Sequence, residues 1–262
     1  MAEMKPPIGA RGEAADEAMG DGAHGTSHSM AHDAPHGRQW GKGEGDMREP
    51  VLTDQPAFER ALDALLALDA RLAPPVEVAG RPALRRRAPG FAGLAAIVVA
   101  QQLSVAAARS ITARLEATLG GTLDPEALAR ASVEDLRKAG LSAPKIRTLT
   151  GIASALAGGV VDLGKVEHME ADAAATYLTR LPGVGKWTAD IYLLFCLGRA
   201  DAFAEGDLAL QVAAGDALGL GSRCTPLGLH AIAEDWRPLR GVAAHLLWAY
   251  YGARRARLGA PA

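Results

Sequence analysis

The chain has 262 residues, of which 49% are hydrophobic, and a formal net charge of −2 at pH 7. This hydrophobic content suffices for one or two compact domains. Because the net charge is slightly negative, it cannot attract an anionic partner, so any such attraction needs a local basic patch. The two cysteines, Cys196 and Cys224, cannot build a disulfide framework. Without a long apolar run or a secretory signal, we expect a cytoplasmic protein that binds no membrane.

Residues 1–49 differ in composition from the rest of the chain. They are rich in glycine, histidine and small polar residues, so burial of apolar surface cannot offset the entropy lost on ordering. Four histidines recur every four residues, a spacing that would align them on one helix face as ligands for a soft metal, but the intervening glycines and proline oppose a helix. We therefore predict a disordered tail over residues 1–49. The four histidines are His24, His28, His32 and His36.

From residue 50 onwards, apolar residues recur at helical spacing between residues that cap helices. One helix is predicted after Asp54 and another after Pro89. Asp124 and Ser132 open two short helices, and a further helix covers approximately residues 144–156. Because no sustained two-residue alternation indicates a sheet, we predict an all-α fold.

Residues 181–190, Leu-Pro-Gly-Val-Gly-Lys-Trp-Thr-Ala-Asp, are the most informative stretch of the chain. Pro182 removes a backbone donor and fixes φ, so the preceding helix should stop there. Gly183 and Gly185 permit positive φ and leave no Cβ atom to block a large partner. The next helix presents free N–H groups and its positive dipole end, and Lys186 adds a charge. This spacing favours a phosphodiester site, although the first five residues alone also suit an ordinary turn between helices.

A buried helix and an acidic loop follow this turn. Residues 191–197 are apolar on nearly every side, so we expect that helix to be fixed inside the protein. Asp201 and Asp207 lie in the glycine-containing loop beyond it, and Asp207 stands directly before the next apolar helix, where aspartate is a common N-cap. The sequence thus joins a fixed phosphate site to a carboxylate in a loop.

Three segments in this order resemble the helix-hairpin-helix DNA glycosylases, and among them the alkylpurine glycosylases of the 3-methyladenine-DNA glycosylase II type. They are the Gln-Gln junction at residues 100–108, the hairpin at 181–190, and residues 236–248. The resemblance implies two helical lobes with the active-site cleft between them. The glycosylase domain would span residues 50–262. Its central lobe would cover about residues 101–200, and its second lobe would combine about residues 50–100 with 201–262.

The resemblance also implies the reaction, which is the excision of flipped alkylated purines such as 3-methyladenine and 7-methylguanine to start base excision repair. Cleavage of the C1′–N bond makes the sugar cationic in the transition state, and an ionised carboxylate stabilises that cation or activates water. Asp207 matches the family's catalytic aspartate, and an N-cap role is compatible with this assignment. Bifunctional relatives carry a lysine nucleophile where this chain has Trp187, and Lys186 lies one residue early, so we predict a monofunctional glycosylase.

Three aromatic residues are assigned to the base pocket by the same resemblance. Trp187 and Trp248 match positions that line it, where indole faces would stack on a flipped base and attract a cationic one. Burial in the core is the alternative for both tryptophans. Tyr192 is assigned to the same pocket, although the family's aromatic residue lies one position earlier, at Ile191.

Further contacts follow from the resemblance. The wedge that fills the space of the flipped base is assigned to Leu123, whose alternative role is a hydrophobic staple on the next helix. Hairpin carbonyls are expected to hold a Na⁺ or K⁺ ion against a phosphate, and two cysteines exclude the four-cysteine iron–sulfur cluster of some relatives, so we expect no other cofactor. The DNA contacts are predicted at Gly183, Val184, Gly185, Lys186, Thr188, Gln101, Gln102 and Leu123, and the cation carbonyls at Thr179, Leu181 and Val184.

The expected partner is double-stranded DNA that contains damaged bases, bound by a monomer. The arginine clusters at 85–87 and 254–257 are either phosphate contacts or solvated surface. The alternative function is a non-catalytic helix-hairpin-helix module that binds damaged DNA without excision. Asp207 and the two tryptophans argue against this alternative, because a binding module needs neither a poised carboxylate nor a base pocket.

Overall fold

The computed structural model describes residues 49–257, and within this range the fold is helical and has no β-strand. The predicted disorder of the tail and its four histidines therefore lie outside the described residues, apart from Glu49. None of the helices in this range is long and apolar enough to cross a membrane. The helices are α1 (Gln55–Leu68), α2 (Ala73–Ala79), α3 (Gly90–Ala100), α4 (Val105–Thr118), α5 (Pro125–Arg130), α6 (Val133–Lys138), α7 (Ala143–Ala157), α8 (Leu163–Val166), α9 (Ala171–Leu178), α10 (Lys186–Tyr192), α11 (Leu208–Ala217), α12 (Pro226–Ala233) and α13 (Arg240–Arg257).

Short turns of other helix types complete the chain. Single turns of 3₁₀ helix cover Ala70–Leu72 and Glu234–Trp236, and one π-helical turn, Leu193–Leu197, continues α10. The predicted helix starts are confirmed by their caps. The carboxylate of Asp54 accepts from the Ala57 N–H at 2.8 Å, and that of Asp124 accepts from the Ala127 N–H at 2.7 Å.

The helices form two packing groups around one hydrophobic core. Helix α13 packs on α1, α2 and α11, whereas α3 packs on α4, α7 and α10. The prediction assigned residues 50–100 to the same lobe as the C-terminal helices, but α3 lies with the central helices. The central group therefore begins near residue 90, because the apolar surface of α3 is covered by α4, α7 and α10.

Glu49, the first described residue and the last one of the predicted tail, is bound to the rest of the fold. Glu49 is 8% exposed, its carboxylate pairs with Arg199, and it accepts from the backbone N–H of Asp201 at 3.2 Å. The backbone of Leu52 donates to the carbonyl of Gly198 at 2.7 Å, so the first segment pairs with the chain that follows the π-helical turn. These contacts fix the start of the loop that leads to Asp207.

Asp201 connects the same loop to the start of α13. It is 4% exposed and accepts two hydrogen bonds from the guanidinium of Arg240, each 2.9 Å long, and one of 2.6 Å from Arg237. Arg240 is 2% exposed, so the pair is removed from water and its charges are satisfied by each other. Asp201 is therefore a structural residue that holds the loop in place.

Candidate active site

The hairpin between α9 and α10 uses its two glycines differently. Gly183 has φ of +74°, and a Cβ atom there would lie 2.7 Å from Oγ1 of Thr148 on α7. Gly185 has φ of −86°, which any residue adopts, and a Cβ atom there would meet nothing within 4 Å. Of the two glycines, only Gly183 adopts the positive φ that glycine permits, and Gly185 instead leaves open space in front of the first turn of α10.

The first turn of α10 has no side-chain cap, since Gly185 occupies the N-cap position. Its leading N–H groups therefore face the open side of the hairpin without a partner from a capping side chain. Val184 is 4% exposed, so only its backbone is available on this face. Gly183, Val184 and Gly185 thus remain candidates for contact with a phosphate through backbone atoms.

Lys186, which is predicted to face a phosphate, also binds two carboxylates of the protein. Its ammonium group lies 2.9 Å from the carboxylate of Asp190 and 3.0 Å from that of Glu205. Burial raises the pKa of Asp190 to about 7, although Lys186 opposes the shift. Lys186 therefore connects α10 to the loop that carries Asp207 through its contacts with these two acids.

The side chain of Thr188 is also unavailable to DNA, contrary to the prediction. Thr188 is 4% exposed, and its hydroxyl accepts from the amide of Gln101 at 3.0 Å. The carbonyl of Gln101 accepts from Lys145 at 2.9 Å, so this glutamine joins three elements rather than projecting outwards. Gln102 is exposed and has φ of +59°, which presents it at the surface between α3 and α4. Of the two glutamines, only Gln102 retains the predicted role.

Asp207 caps α11, as predicted, and is held by three donors. Its Oδ1 atom accepts from the Leu210 N–H at 3.1 Å and from the indole N–H of Trp248 at 3.2 Å. Its Oδ2 atom accepts from the indole N–H of Trp187 at 2.9 Å. The carboxylate is thus oriented from the backbone of α11, from α10 and from α13 at once.

A cavity of ≈ 520 Å³ opens beside this carboxylate, between the two packing groups. Its walls come from α3, α4, α10, the π-helical turn and α13, and both predicted pocket tryptophans line it. The volume lies in the range of small-molecule sites and is large enough for a purine base. The wall includes Trp187, Trp248, Phe195, Ile191, Tyr251 and Asp207.

Two predicted positions are wrong, because each side chain is buried in the core. Tyr192 is 1% exposed, and its phenol oxygen accepts from the Gly90 N–H at 3.0 Å; burial raises the pKa of Tyr192 to about 12. The cavity is lined by Ile191 instead. Leu123 is 7% exposed and belongs to the hydrophobic core together with Leu128, five residues along the chain, as expected for a hydrophobic staple rather than a wedge.

The aromatic wall of the cavity is assembled from residues that sequence reasoning did not connect. Phe195 stacks on Trp248 with ring centroids 5.5 Å apart and an angle of 29° between the planes. His245 packs edge-on against Phe195 at 5.2 Å, and burial lowers the pKa of His245 to about 4, so it is neutral at pH 7. The guanidinium of Arg85 lies over both rings, 5.2 Å from the centroid of Phe195 and 5.9 Å from that of Trp248.

This combination of a glycine hairpin, a capping carboxylate and an aromatic cavity defines a helical base-excision fold. Residues 95–238 match the family described as HhH-GPD superfamily base excision DNA repair protein. The match covers more than half of the 262 residues, so the chain belongs to this superfamily. The predicted family and the all-α fold class are both confirmed.

Solved structures share the fold over most of the described chain. The crystal structure of a DNA-3-methyladenine glycosidase from Bacillus halodurans matches with a TM-score of 0.67 and 33% sequence identity. This match covers 80% of the present chain and 95% of the Bacillus halodurans chain. A 3-methyladenine DNA glycosylase of Schizosaccharomyces pombe in complex with abasic DNA is 28% identical with a TM-score of 0.65, and the match covers 72% and 95% of the two chains.

The match to curated relatives is shorter. DNA-3-methyladenine glycosylase 2 of Escherichia coli is 28% identical over 164 residues, which are 58% of this chain and 54% of that protein. The chain spans 55% of a Bacillus subtilis relative and 31% of a Mycobacterium tuberculosis relative. It therefore spans about half or less of these three relatives.

Proposed function

We propose that this protein is a monofunctional DNA glycosylase that flips alkylated purines out of double-stranded DNA and hydrolyses their N-glycosidic bond. The observation that carries the proposal is Asp207, a carboxylate held by three donors at the wall of a ≈ 520 Å³ cavity that two tryptophans line. The relatives named as 3-methyladenine glycosylases support the substrate class.

Asp207 acts on the sugar, in this proposal, as the bond to the base breaks. The C1′ atom becomes cationic in the transition state, and a fixed carboxylate stabilises that charge without having to reorganise. The same carboxylate orients the attacking water or accepts its proton. The indole N–H groups of Trp187 and Trp248 hold both oxygens, so the two rings that line the base cavity also set the direction of the carboxylate.

The proposal of monofunctional chemistry rests on Trp187 and Lys186. A glycosylase that also cuts the strand needs a neutral lysine as nucleophile, and the position used for it in relatives is Trp187. The neighbouring Lys186 is partly buried, which lowers its pKa, but Asp190 and Glu205 outweigh this effect and raise the pKa above its usual value. A protonated amine held by two carboxylates is not a nucleophile, so the product is an abasic site.

The DNA backbone meets the hairpin at Gly183, Val184 and Gly185 in this proposal. The open space in front of Gly185 and the uncapped first turn of α10 support it, and the Schizosaccharomyces pombe neighbour is bound to abasic DNA. We also propose that a Na⁺ or K⁺ ion joins the hairpin to a phosphate through the carbonyls of Thr179, Leu181 and Val184. The carbonyl of Leu181 already accepts from the Val184 N–H at 3.1 Å, so its second lone pair would bind the ion.

The testing experiment measures free base released from methylated duplex DNA by the purified protein and by its Asp207→Asn variant. We expect release of 3-methyladenine and 7-methylguanine by the wild type, and a loss of about 10²–10³-fold in the variant, the size found when one charge-stabilising group is removed. Strands should break only after alkali treatment, and borohydride should trap no covalent complex. Near wild-type release by Asp207→Asn contradicts the assignment of Asp207. No release by the wild type, despite tight and salt-sensitive binding, identifies a damage-binding module instead.

A further inference from the structure

The cavity beside Asp207 has a positively charged wall. Arg85, Arg87 and Arg255 line it, and Asp207 is the one acidic residue among the residues that line it. A cationic base would therefore approach the guanidinium groups of Arg85 and Arg87 as well as the carboxylate of Asp207. Like charges inside a partly enclosed site repel each other more strongly than in water, so this wall disfavours a cationic ligand relative to a neutral one.

Arg85 also covers the aromatic surface that would attract a cation. Its guanidinium carbon is 5.2 Å from the ring centroid of Phe195 and 5.9 Å from that of Trp248, which are cation–π distances. A cationic base approaching these rings has to compete with the guanidinium for the same negative ring surface. Arg85 thus weakens the attraction between Trp248 and a cationic purine, in contrast to the prediction from the sequence.

The guanidinium of Arg85 has no carboxylate partner within residues 49–257. Burial and the nearby Arg87 lower its pKa, but an arginine remains charged at neutral pH. Arg85 lies at the exposed mouth of the cavity, whereas the buried Arg240 is paired with Asp201. Arg85 lines the cavity, and a carbonyl oxygen of a ligand bound there would accept from its guanidinium.

We propose that Arg85 is a specificity-determining residue that favours neutral damaged bases with a ring carbonyl oxygen over cationic N-methylpurines. This inference rests on the proposed glycosylase function. The guanidinium donates to the carbonyl oxygen of a neutral base seated against Trp187 and Trp248, and its charge repels a base that is itself positive. Cationic bases remain substrates, and Arg85 lowers their rate of excision.

The test uses four damaged bases that represent the four combinations of a cationic or neutral base with or without a ring carbonyl group. 3-Methyladenine is cationic in DNA without a ring carbonyl, 7-methylguanine is cationic with one, 1,N6-ethenoadenine is neutral without one, and hypoxanthine is neutral with one. Single-turnover rates of base release are measured for the wild type, for Arg85→Gln and for Arg85→Lys. Each variant rate is divided by the wild-type rate for the same base, which cancels differences in the intrinsic lability of the bonds.

In Arg85→Gln, we expect hypoxanthine excision to fall about tenfold, as after the loss of one charged hydrogen bond. Excision of 3-methyladenine should rise about tenfold because the repulsion is removed, 7-methylguanine should lie between the two, and ethenoadenine should change less than about twofold. Arg85→Lys is the matched control, since it keeps the charge but loses the planar donor fork. It should leave 3-methyladenine near the wild-type rate and lower hypoxanthine excision.

The outcomes separate this inference from the proposed function. Equal losses for all four bases in Arg85→Gln would make Arg85 a phosphate or structural contact and overturn the inference. Unchanged rates for all four bases would overturn it as well, while the glycosylase function would stand. No release of any base by the wild type would refute the proposed function itself. Urea unfolding of both variants verifies that the fold is intact.

Discussion

Gly183 and Gly185 meet different requirements, and alanine at each position separates folding from DNA binding. At Gly183, with φ of +74°, an alanine Cβ would lie 2.7 Å from Oγ1 and 2.8 Å from Cγ2 of Thr148. The left-handed conformation costs a residue with a Cβ atom about 1–2 kcal/mol, and overpacking costs about 1–3 kcal/mol. Gly183→Ala should therefore lower the free energy of unfolding by about 2–5 kcal/mol, measured as a shift of the urea midpoint at constant m.

Gly185→Ala is the matched control variant, since it adds the same methyl group two residues further along the same turn. Its φ of −86° suits alanine, and no atom lies within 4 Å of the added Cβ, so stability should change by less than about 0.5 kcal/mol. The methyl group would instead occupy the space that we assign to a phosphate. Binding to a duplex with an abasic site, followed by fluorescence anisotropy, should weaken in this variant while its unfolding curve matches that of the wild type.

Thr148→Ala divides the penalty at Gly183 into its two parts. The substitution removes the two closest atoms, so in this background Gly183→Ala should regain the overpacking part of about 1–3 kcal/mol and retain the backbone strain. The reasoning is refuted if Gly183→Ala is as stable as the wild type. It is also refuted if Gly185→Ala is destabilised as much as Gly183→Ala, because the two positions would then share one structural requirement.

Three further outcomes follow from the contacts of the site and the loop. Trp248→Phe keeps an aromatic ring but loses the N–H donor to Asp207, so single-turnover base release should fall about tenfold; an unchanged rate contradicts the positioning role. Burial raises the pKa of Asp190 to about 7 from 3.8, so the folded protein binds more protons than the unfolded chain between these values. Wild-type stability should therefore fall as pH rises across this range, and urea titrations of Asp190→Asn should show a flatter dependence. Arg240→Met leaves Asp201 buried without its main partner and should cost about 3–5 kcal/mol in urea unfolding.

The features that the sequence predicted correctly are encoded in adjacent residues. Pro182 and Gly183 define a turn from their own backbone preferences, and Asp207 is recognised as a cap because it stands directly before an apolar helix. Such signals need no knowledge of the rest of the fold. The hairpin and the carboxylate could therefore be predicted, as could the helix starts at Asp54 and Asp124.

The errors concern the direction in which a side chain points after the helices pack. Tyr192 and Ile191 are adjacent on α10, and only the packing of α10 against α3 decides which of them faces the cavity. Lys186 had a detectable partner in Asp190, four residues along the same helix, but its second partner, Glu205, is distant in sequence. Arg85 lies in a segment without helical periodicity, so nothing local places it over the aromatic wall.

In the proposed mechanism, helix α10 joins DNA contact and chemistry in one element. Its first turn faces the open side of the hairpin, Trp187 donates to Asp207, and Lys186 binds the loop beside it through Glu205. The carboxylate is therefore already oriented in the protein without DNA, and a bound phosphate does not need to assemble it. In the proposed mechanism the charge on the sugar is stabilised in the same way for every base, so the contribution of the protein to discrimination between bases arises in the cavity. We assign this discrimination to Arg85, whose guanidinium lies over the rings of Phe195 and Trp248.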